Sequence, residues 1–486
     1  VAPTPPTLAD VSISPTSAAA GLTITINGSF TFSDLNGDLN GGSFNFSYSF
    51  DGDTQSFSFP LPNELAGLTN ATVVFTLPDV TLVATPGTAT ISYWLVDGTG
   101  LVSNTIASTF ATLWTRQFGT VLEDIGNGIA IDAADQVLAA GTTAGDLDGE
   151  TNPGGASVFV TSYAPDAARA WTRVFGSSST DTGRGIARDS ANNVYVTGDT
   201  QGTVFDGQAA DGSLNGFLSR FSSSGTPQWT RVFGTAASEH AYAVAADSSN
   251  NIYVVGETTG DLDGEENAGS WDAFLRKFDS NGNHVWTRLL GDSGSDTAYG
   301  VAVDADGNVY IAGASDGTLG GTVNADVFVA KYTADGTRQW LTPMATECTE
   351  WANSITLGAA GNLYVAGMII SPCAFDGNTA SGLRDAFIAY LDNDGEVQWA
   401  RQFGTSEYDS ANGVTSDSAG NAYVTGFLES VTFNDDNEGH VIFVAKYDSA
   451  GDQVWLTQDA AGSSFGNQGR GIARDSEDNI FLTGSV

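Results

Sequence analysis

The chain is poor in positive charge. Among 486 residues there are 17 Lys and Arg against 57 Asp and Glu, a formal charge of −40, and only three of the basic residues are lysines, Lys277, Lys331 and Lys446. Such a surface repels nucleic acid and anionic membranes, because phosphate contacts and polybasic patches are both wanting. Long apolar runs are absent too, so no stretch reads as a helical membrane span. No sustained apolar pattern at helical spacing occurs either. Two cysteines, Cys348 and Cys373, permit one disulfide. The three histidines, His240, His284 and His440, form no zinc pair at helical spacing and have no evident serine nucleophile beside them. A G-x-S-x-G elbow and a phosphate-cradling loop are missing as well. Paired carboxylates are everywhere in so acidic a chain and single out no glycosidase site. These absences argue against an enzyme.

What is abundant is glycine (59), phenylalanine (27) and alternating Thr, Val and Ser, which favours many short strands joined by tight turns. Tryptophans mark a repeat: "WTRQFG" at Trp114, "WTRVFG" at Trp171 and Trp229, "WTRLLG" at Trp286, "WLTPM" at Trp340, "WARQFG" at Trp399 and "WLTQD" at Trp455, spaced 54 to 59 residues apart. Strand-like pieces of three types follow them, a "GRGIARD" type, an "NVYVTG" type and, after the first six, a "DVFVAKY" type. Asp-Gly and Asn-Gly steps between apolar runs signal hairpins. Four short antiparallel strands repeated about seven times describe a propeller.

The units resemble the bacterial seven-bladed β-propeller repeat family (SBBP repeats), over about three quarters of the chain. The resemblance implies an innermost "GIARD" strand, then "NVYVTG", "DAFVAKY" and the Trp strand outward, with the tryptophans packed between blades. The expected fold is therefore all-β: a seven-bladed β-propeller of four-stranded blades over 113–486, following an N-terminal module. In 114–486 the third strand type occurs six times and the others seven. The "WTRQFG" segment is expected to close the ring, leaving the last blade short of one strand, a slot with two unpaired edges.

Residues 1–112 contain no Lys or Arg and eight acidic residues. Alternating segments such as "LTITINGSFTFSD" and "TATISYWLV" predict a β-sandwich over 16–112 that resembles bacterial immunoglobulin-like surface modules. The first 15 residues, "VAPTPPTLADVSISP", begin without Met and read as an extended segment of a processed chain and a candidate donor strand.

Three further groups are candidates for chemistry. "SDLNGDLNGG" sets Asp34, Asn36, Asp38 and Asn40 at alternating positions, like the first half of a calcium loop, although Asn45 stands where a bidentate glutamate would close it. Two "GDLDGE" loops supply Asp146, Asp148 and Glu150, and Asp261, Asp263 and Glu265, as rim Ca2+ candidates or plain acidic turns. "GRGIARDS" occurs at 183–190 and 469–476, so Arg184, Arg188, Arg470 and Arg474 either line one channel wall or bond to blade-edge carbonyls and aspartates. Trp271 and Trp351 lie outside the repeat tryptophans and are candidate ligand contacts.

The expectation is a non-enzymatic, secreted or cell-surface scaffold or adhesion protein, held by a Cys348–Cys373 disulfide. Its sharper form is a filament subunit whose strand slot is filled by another copy; the alternatives for the slot are that the same tail or part of "NTIASTFATL" fills that of its own propeller, or that the next residues of a longer chain do. The alternative is a propeller rim that binds surface glycans or peptides. No nucleic-acid partner and no direct membrane insertion are expected.

Overall fold

The computed structural model describes residues 7–485 apart from 15–16, 20–22, 34–42, 51–52, 61–69, 82–86, 97–101, 104–105, 114–115, 320–324, 371–372, 374, 376–379, 431–438 and 460–466. The chain divides into two units, Val1–Phe118 with Pro165–Ala168, and Gly119–Ala164 with Arg169–Val486.

The first unit holds two sheets. One has three strands, with Thr23–Ser33 between Thr7–Ser14 and Asn70–Thr81; the other has five, including Ser43–Phe50, Gly87–Val96 and Ile106–Leu113. Alternation such as "TATISYWLV" drives these strands, because one face of each must be apolar. The proposed donor segment is not separate from this unit: Thr7–Ser14 pairs antiparallel with Thr23–Ser33, from Thr7 opposite Ser33 to Ser14 opposite Asn27.

The second unit is the propeller. Six four-stranded antiparallel sheets follow one another: Asp124–Phe175, Asp181–Phe233, Glu239–Leu290, Asp296–Met344, Glu350–Phe403 and Asp409–Asp459, here blades one to six. In each, the strands lie in chain order from the innermost outward. A two-stranded sheet comes last, Gln468–Arg474 with Ile480–Ser485. The expected seventh four-stranded blade is thus not formed among the described residues. Arg116–Thr120, the described part of "WTRQFG" and its following turn, is irregular rather than a strand.

The innermost strands adjoin one another in sequence, and Gln468–Arg474 adjoins both the sixth and the first, so the inner ring is closed. One hydrogen bond recurs around it. The Ser190 amide donates to Asn250 Oδ1 at 3.0 Å, Ser418 to Asp478 Oδ1 at 3.2 Å, and Ser476 to Asp135 Oδ1 at 2.9 Å, across the closure.

The "W-T-R" motif is an inter-blade clamp. Trp171, Trp286, Trp340 and Trp399 donate Nε1–H to Ser223, Ala334, Asn393 and Ser449 carbonyls in the outer turn of the following blade, at 3.0 to 3.3 Å. The arginine two residues on lies over its own tryptophan and donates to the same turn: Arg231 to Gly282 O, Arg288 to Gly336 O and Arg401 to Gly451 O, at 2.8 to 3.0 Å. Arg116 makes the equivalent bond to Ala167 O at 3.2 Å. Glycine suits these turns on two counts, although Ala167, at φ +63°, holds the same place in the first of them. At Gly225 φ is +75°, and a Cβ there would stand 2.4 Å from the Trp171 ring.

Second and third strands fill the space between these clamps. Val194–Thr200, Val309–Ser315 and Ser157–Tyr163 are buried at every position, with residues facing both neighbouring blades. Near-continuous apolar runs such as "NVYVTG" have this cause, since a propeller blade has no solvated face.

Candidate functional site

Most of the acidic residues have structural work to do. Asp132, Asp189, Asp247, Asp417 and Asp475 each accept the amides two and four residues ahead, fixing the tight turn between the first two strands. In several blades a tyrosine two residues further on bonds the same carboxylate, as Tyr195 does to Asp189 at 2.9 Å.

A second set opens the innermost strands. Asp181, Glu239 and Asp409 are fully buried, and each accepts the amide of the residue four before it, Ser177, Thr235 and Thr405. These acids tie down the loop that crosses from one blade to the next. Each also meets a residue at the head of the preceding blade's third strand, above a glycine or its equivalent. A Cβ on Gly291 would be 2.4 Å from Asp272 Oδ1 and 2.9 Å from Asp296 Oδ2, and one on Gly404 would be 2.3 Å from Asp409 Oδ2 and 2.8 Å from Asp385 Oδ1. Glu239 meets Asn215 and Asp181 meets Ser157 in the same way. Burial raises the Asp296 and Asp409 carboxyls to about 6 and Glu350 to about 7, with neighbouring carboxylates adding to the effect.

The two "GDLDGE" loops fold alike. Asp146 and Asp261 accept the Asn152 and Asn267 amides at 2.8 and 3.0 Å. Asp148 takes Arg169 and Thr172, and Asp263 takes Arg276 and Thr287 with His284 close by. Glu150 faces Arg173 at 3.2 Å and Glu265 faces Arg288 at 3.5 Å. The rim acids thus have protein partners, and among the described residues no three His, Cys, Asp or Glu side chains converge as a metal group. Asp34, Asn36, Asp38 and Asn40 lie outside the described residues. Cys348 and Cys373 are joined by a disulfide with Cα atoms 5.9 Å apart.

The repeat leaves one position per blade free to vary. Every innermost strand carries a β-bulge at the same place, where one residue has no partner on the second strand: Asn127, Arg184, Tyr242, Tyr299, Asn353, Asn412 and Arg470. Bulges re-aim a side chain out of the pleat, and here they bring neighbours together around the ring. Asn127, Asn353 and Asn412 donate to Gly183, Ala411 and Gly469 carbonyls of the next strand at 2.7 to 2.9 Å. The Arg184 guanidinium lies 4.9 Å over the Tyr242 ring, and Tyr242 is 4.9 Å from Tyr299.

Around these side chains a polar and aromatic network gathers over blades two to four. Asp199 holds Arg184 at 2.5 Å and His240 at 3.2 Å. Glu257 accepts from Tyr242 at 2.8 Å and from Thr297 at 2.5 Å. Burial and the Glu257 charge push the Tyr242 phenol up. Trp271 lies 5.6 Å from the His240 ring, and Trp351 occupies in blade five the position that His240 holds in blade three. Both tryptophans are half-buried.

Of the four arginines singled out by the repeated "GRGIARDS", Arg184 and Arg470 are bulge residues. Arg188 bonds Ile131 O at 2.7 Å and Arg474 pairs with Asp478 at 2.7 Å. The histidines remain apart: His284 is beside Asp263, and His440 stacks on Phe427 at 4.3 Å. The bulge ring and the Asp199–His240 and Glu257–Tyr242 bonds went unrecognised in the sequence. Comparing the third residue after each strand-opening acid across the repeats is the signal that finds them.

Residues 170–206, 228–263, 285–321 and 398–426 match the family model described as Beta-propeller repeat (SBBP). The chain is similar to Regulatory protein FlaEY of Caulobacter vibrioides, 29% identical over 238 residues, covering 42% of this chain and 25% of the relative. It is also similar to an uncharacterized WD repeat-containing protein of Acanthamoeba polyphaga mimivirus, 21% identical over 507 residues, covering 78% of this chain and 36% of that one. The chain therefore spans about a quarter to a third of the length of these relatives. Among solved structures, Drosophila Semaphorin 1a is 8% identical with a TM-score of 0.40, covering 76% of this chain and 85% of that one. A Synechocystis apocarotenoid oxygenase is 10% identical with a TM-score of 0.38, covering 93% and 97%. Likenesses this distant carry no argument about activity.

Proposed function

We propose that this protein is a non-enzymatic structural or adhesion component of the cell exterior, and that its propeller accepts a β-strand at the two-stranded sheet. On this reading that sheet is the inner half of a seventh blade, and the N-terminal sheets form an immunoglobulin-like spacer. The carrying observation is the exposure of Ile480–Ser485. Val194–Thr200 and Val309–Ser315 are buried throughout, whereas no residue of Ile480–Ser485 is, and Leu482 is 39% exposed. An edge of this kind invites pairing with a further strand, whether of this chain or of another.

The donor in the filament form of the proposal is the N-terminal segment of a second copy. Thr7–Ser14 is an edge strand of its sheet, so it can leave one partner for another. A head-to-tail exchange that does not close produces a polymer. Electron microscopy and sedimentation of the full chain test this. Polymers that grow with concentration and vanish on deleting residues 1–15 support it, and unchanged assembly after that deletion removes this donor.

A second reading has its own observation, the half-buried aromatic arc of His240, Trp271, Tyr242 and Tyr299 beside Arg184 and Asp199. Aromatic faces next to planar hydrogen-bonding groups suit a surface glycan or peptide. A glycan array with Trp271→Ala and Trp351→Ala controls separates it from assembly, since these substitutions leave the open sheet untouched.

A further inference from the structure

We propose that Arg470 and Arg184, set on either side of Asn127 in the bulge ring, bind a carboxylate, and that the ligand is a glycan bearing a single uronic acid. The proposal rests on the glycan-binding reading above and names the class of sugar.

Arg184 and Arg470 come from the two copies of "GRGIARDS" and hold the same place in their strands. Their surroundings differ. Asp199, opposite Thr182 in the register of blade two, takes Arg184 Nε at 2.5 Å. The same register puts Ser485 at that place in the last sheet. The arginine recurs without its counter-ion.

Among the described residues no acceptor engages Arg470, and its Nε is buried without a partner. Arg220 and Arg276 also have an unpartnered Nε, but their terminal nitrogens hold Ser280 O and Asp263. Every other arginine and all three lysines likewise reach a protein oxygen. Burial and the charge of Arg184 hold the Arg470 guanidinium below its ordinary value, against the pull of Glu123. A half-buried cation beside another is unfavourable until an anion joins them. In a chain of net charge −40, a place that breaks the pairing rule points to function.

A third strand on Ile480–Ser485 would leave this unchanged. It would lie outside that strand, whereas Arg470 belongs to the innermost one, held between complete blades. A Cβ on Gly413 of blade six would be 3.2 Å from Arg470 O, and one on Gly471 would be 3.1 Å from Ile129 Cγ2 of blade one.

The planar forks of two arginines suit one carboxylate. Asp199 occupies only the Nε of Arg184, so its terminal nitrogens too are without an acceptor among the described residues. A dianion such as phosphate suits the place less, because Asp199, Glu257 and Glu123 already act on the two guanidiniums. The acidic surface also repels a polyuronate, which leaves a uronic acid flanked by neutral sugar. Tyr242 and Tyr299 continue the ring beyond Arg184, half-buried and 4.9 Å apart. Such aromatic faces beside polar groups take amphipathic ligands, a sugar ring among them. A peptide would bring backbone amides instead, and the carboxylates here are engaged: Asp199 by Arg184 and His240, Glu257 by Tyr242 and Thr297.

The test uses the full chain with glucuronyl and galacturonyl disaccharides, their methyl esters, neutral disaccharides, inorganic phosphate and an acidic peptide. Binding is read by calorimetry and saturation-transfer NMR, and a glycan array extends the panel. The expected result is saturable binding of a uronyl disaccharide, at least tenfold weaker for its ester. Arg470→Gln removes that preference and leaves Tm unchanged or raised, since no bond is lost. Ser485→Asp supplies the missing counter-ion and weakens uronyl binding at least tenfold with Arg470 in place. Arg474→Gln, which breaks only the pair with Asp478, keeps the preference.

Equal binding of acid and ester overturns the inference and spares the glycan reading, as does an array positive for neutral sugars alone. A Tm lowered by several degrees in Arg470→Gln reveals a structural partner and overturns it too. Binding of phosphate or of the acidic peptide in place of the disaccharides overturns the assignment to a sugar. A silent array with no binding by any probe sinks the inference and the glycan reading together.

Discussion

The Glu350 carboxyl, fully buried where the innermost strand of blade five begins, hydrogen-bonds the buried carboxyl of Asp326 at the start of a third strand in blade four. Two carboxyls in one buried place cannot both ionise without cost, so the pair holds a proton. Asp272 with Asp296 and Asp385 with Asp409 likewise bring two buried carboxyls to one place on either side.

These pairs set a pH dependence. Burial raises Glu350 to about 7 and Asp296 and Asp409 to about 6 from ordinary values of 4.5 and 3.8, so the folded state holds more protons than the unfolded one between those limits. Their contribution to stability is therefore complete at the acid end, declines from about pH 4 through about pH 7, and is lost above it. Acids held below their ordinary value by turn hydrogen bonds, such as Asp304 and Asp417, act oppositely and weaken the fold only in stronger acid. Thermal unfolding should give a higher Tm at pH 5 than at pH 8. Glu350→Gln should flatten part of that slope, and a Tm rising from pH 5 to 8 would contradict the shared proton.

The clamp predicts unequal tryptophans. Trp399→Ala, which removes a buried ring and its bond to Ser449 O, should cost about 3–5 kcal/mol. Trp455→Ala should cost about 1 kcal/mol or less, in line with surface substitutions. Urea unfolding of the two variants checks the order, and equal losses would mean that Trp455 is covered in solution.

Removing the Cys348–Cys373 bridge opens a loop of 25 residues. In the chain-entropy account this costs roughly 3 kcal/mol. The double alanine variant, compared with the parent by thermal unfolding without reductant, should melt lower by several degrees. Labelling of both cysteines in unfolded, unreduced protein would show that the bridge does not form.

Calcium is proposed for the "SDLNGDLNGG" loop alone, because Asp148 and Asp263 already hold arginines. Calorimetry should register calcium in the full chain, lose it in Asp34→Asn with Asp38→Asn, and keep it in Asp146→Asn with Asp261→Asn. No heat in the parent protein would end the proposal.

Much of the propeller was legible because its strands are short, apolar and punctuated by turns that only Asp, Asn and Gly form well. Trp171 and Gly225 announce their roles by recurring at a fixed interval. Asp409 and Asp385 do not, because their meeting joins strands of different blades, and a carboxylate beside another carboxylate runs against pairing rules. The bulges at Arg184 and Tyr242 were hidden for a related reason: an extra residue in a strand leaves the alternating pattern intact on either side. The prolines at 3, 5, 6 and 15 make residues 1–15 read as a free extended segment, yet Thr7–Ser14 between them pairs with Thr23–Ser33, a hairpin-distance away and equally alternating.

The bulge ring separates two jobs that most folds entangle. Amide, guanidinium and phenol already alternate at one site around it, while the strands that carry them keep their register unchanged. Gene-level copying of a whole unit thus hands natural selection a finished wall with a single interchangeable tile, and the interior of the wheel can acquire new chemistry without any redesign of its spokes.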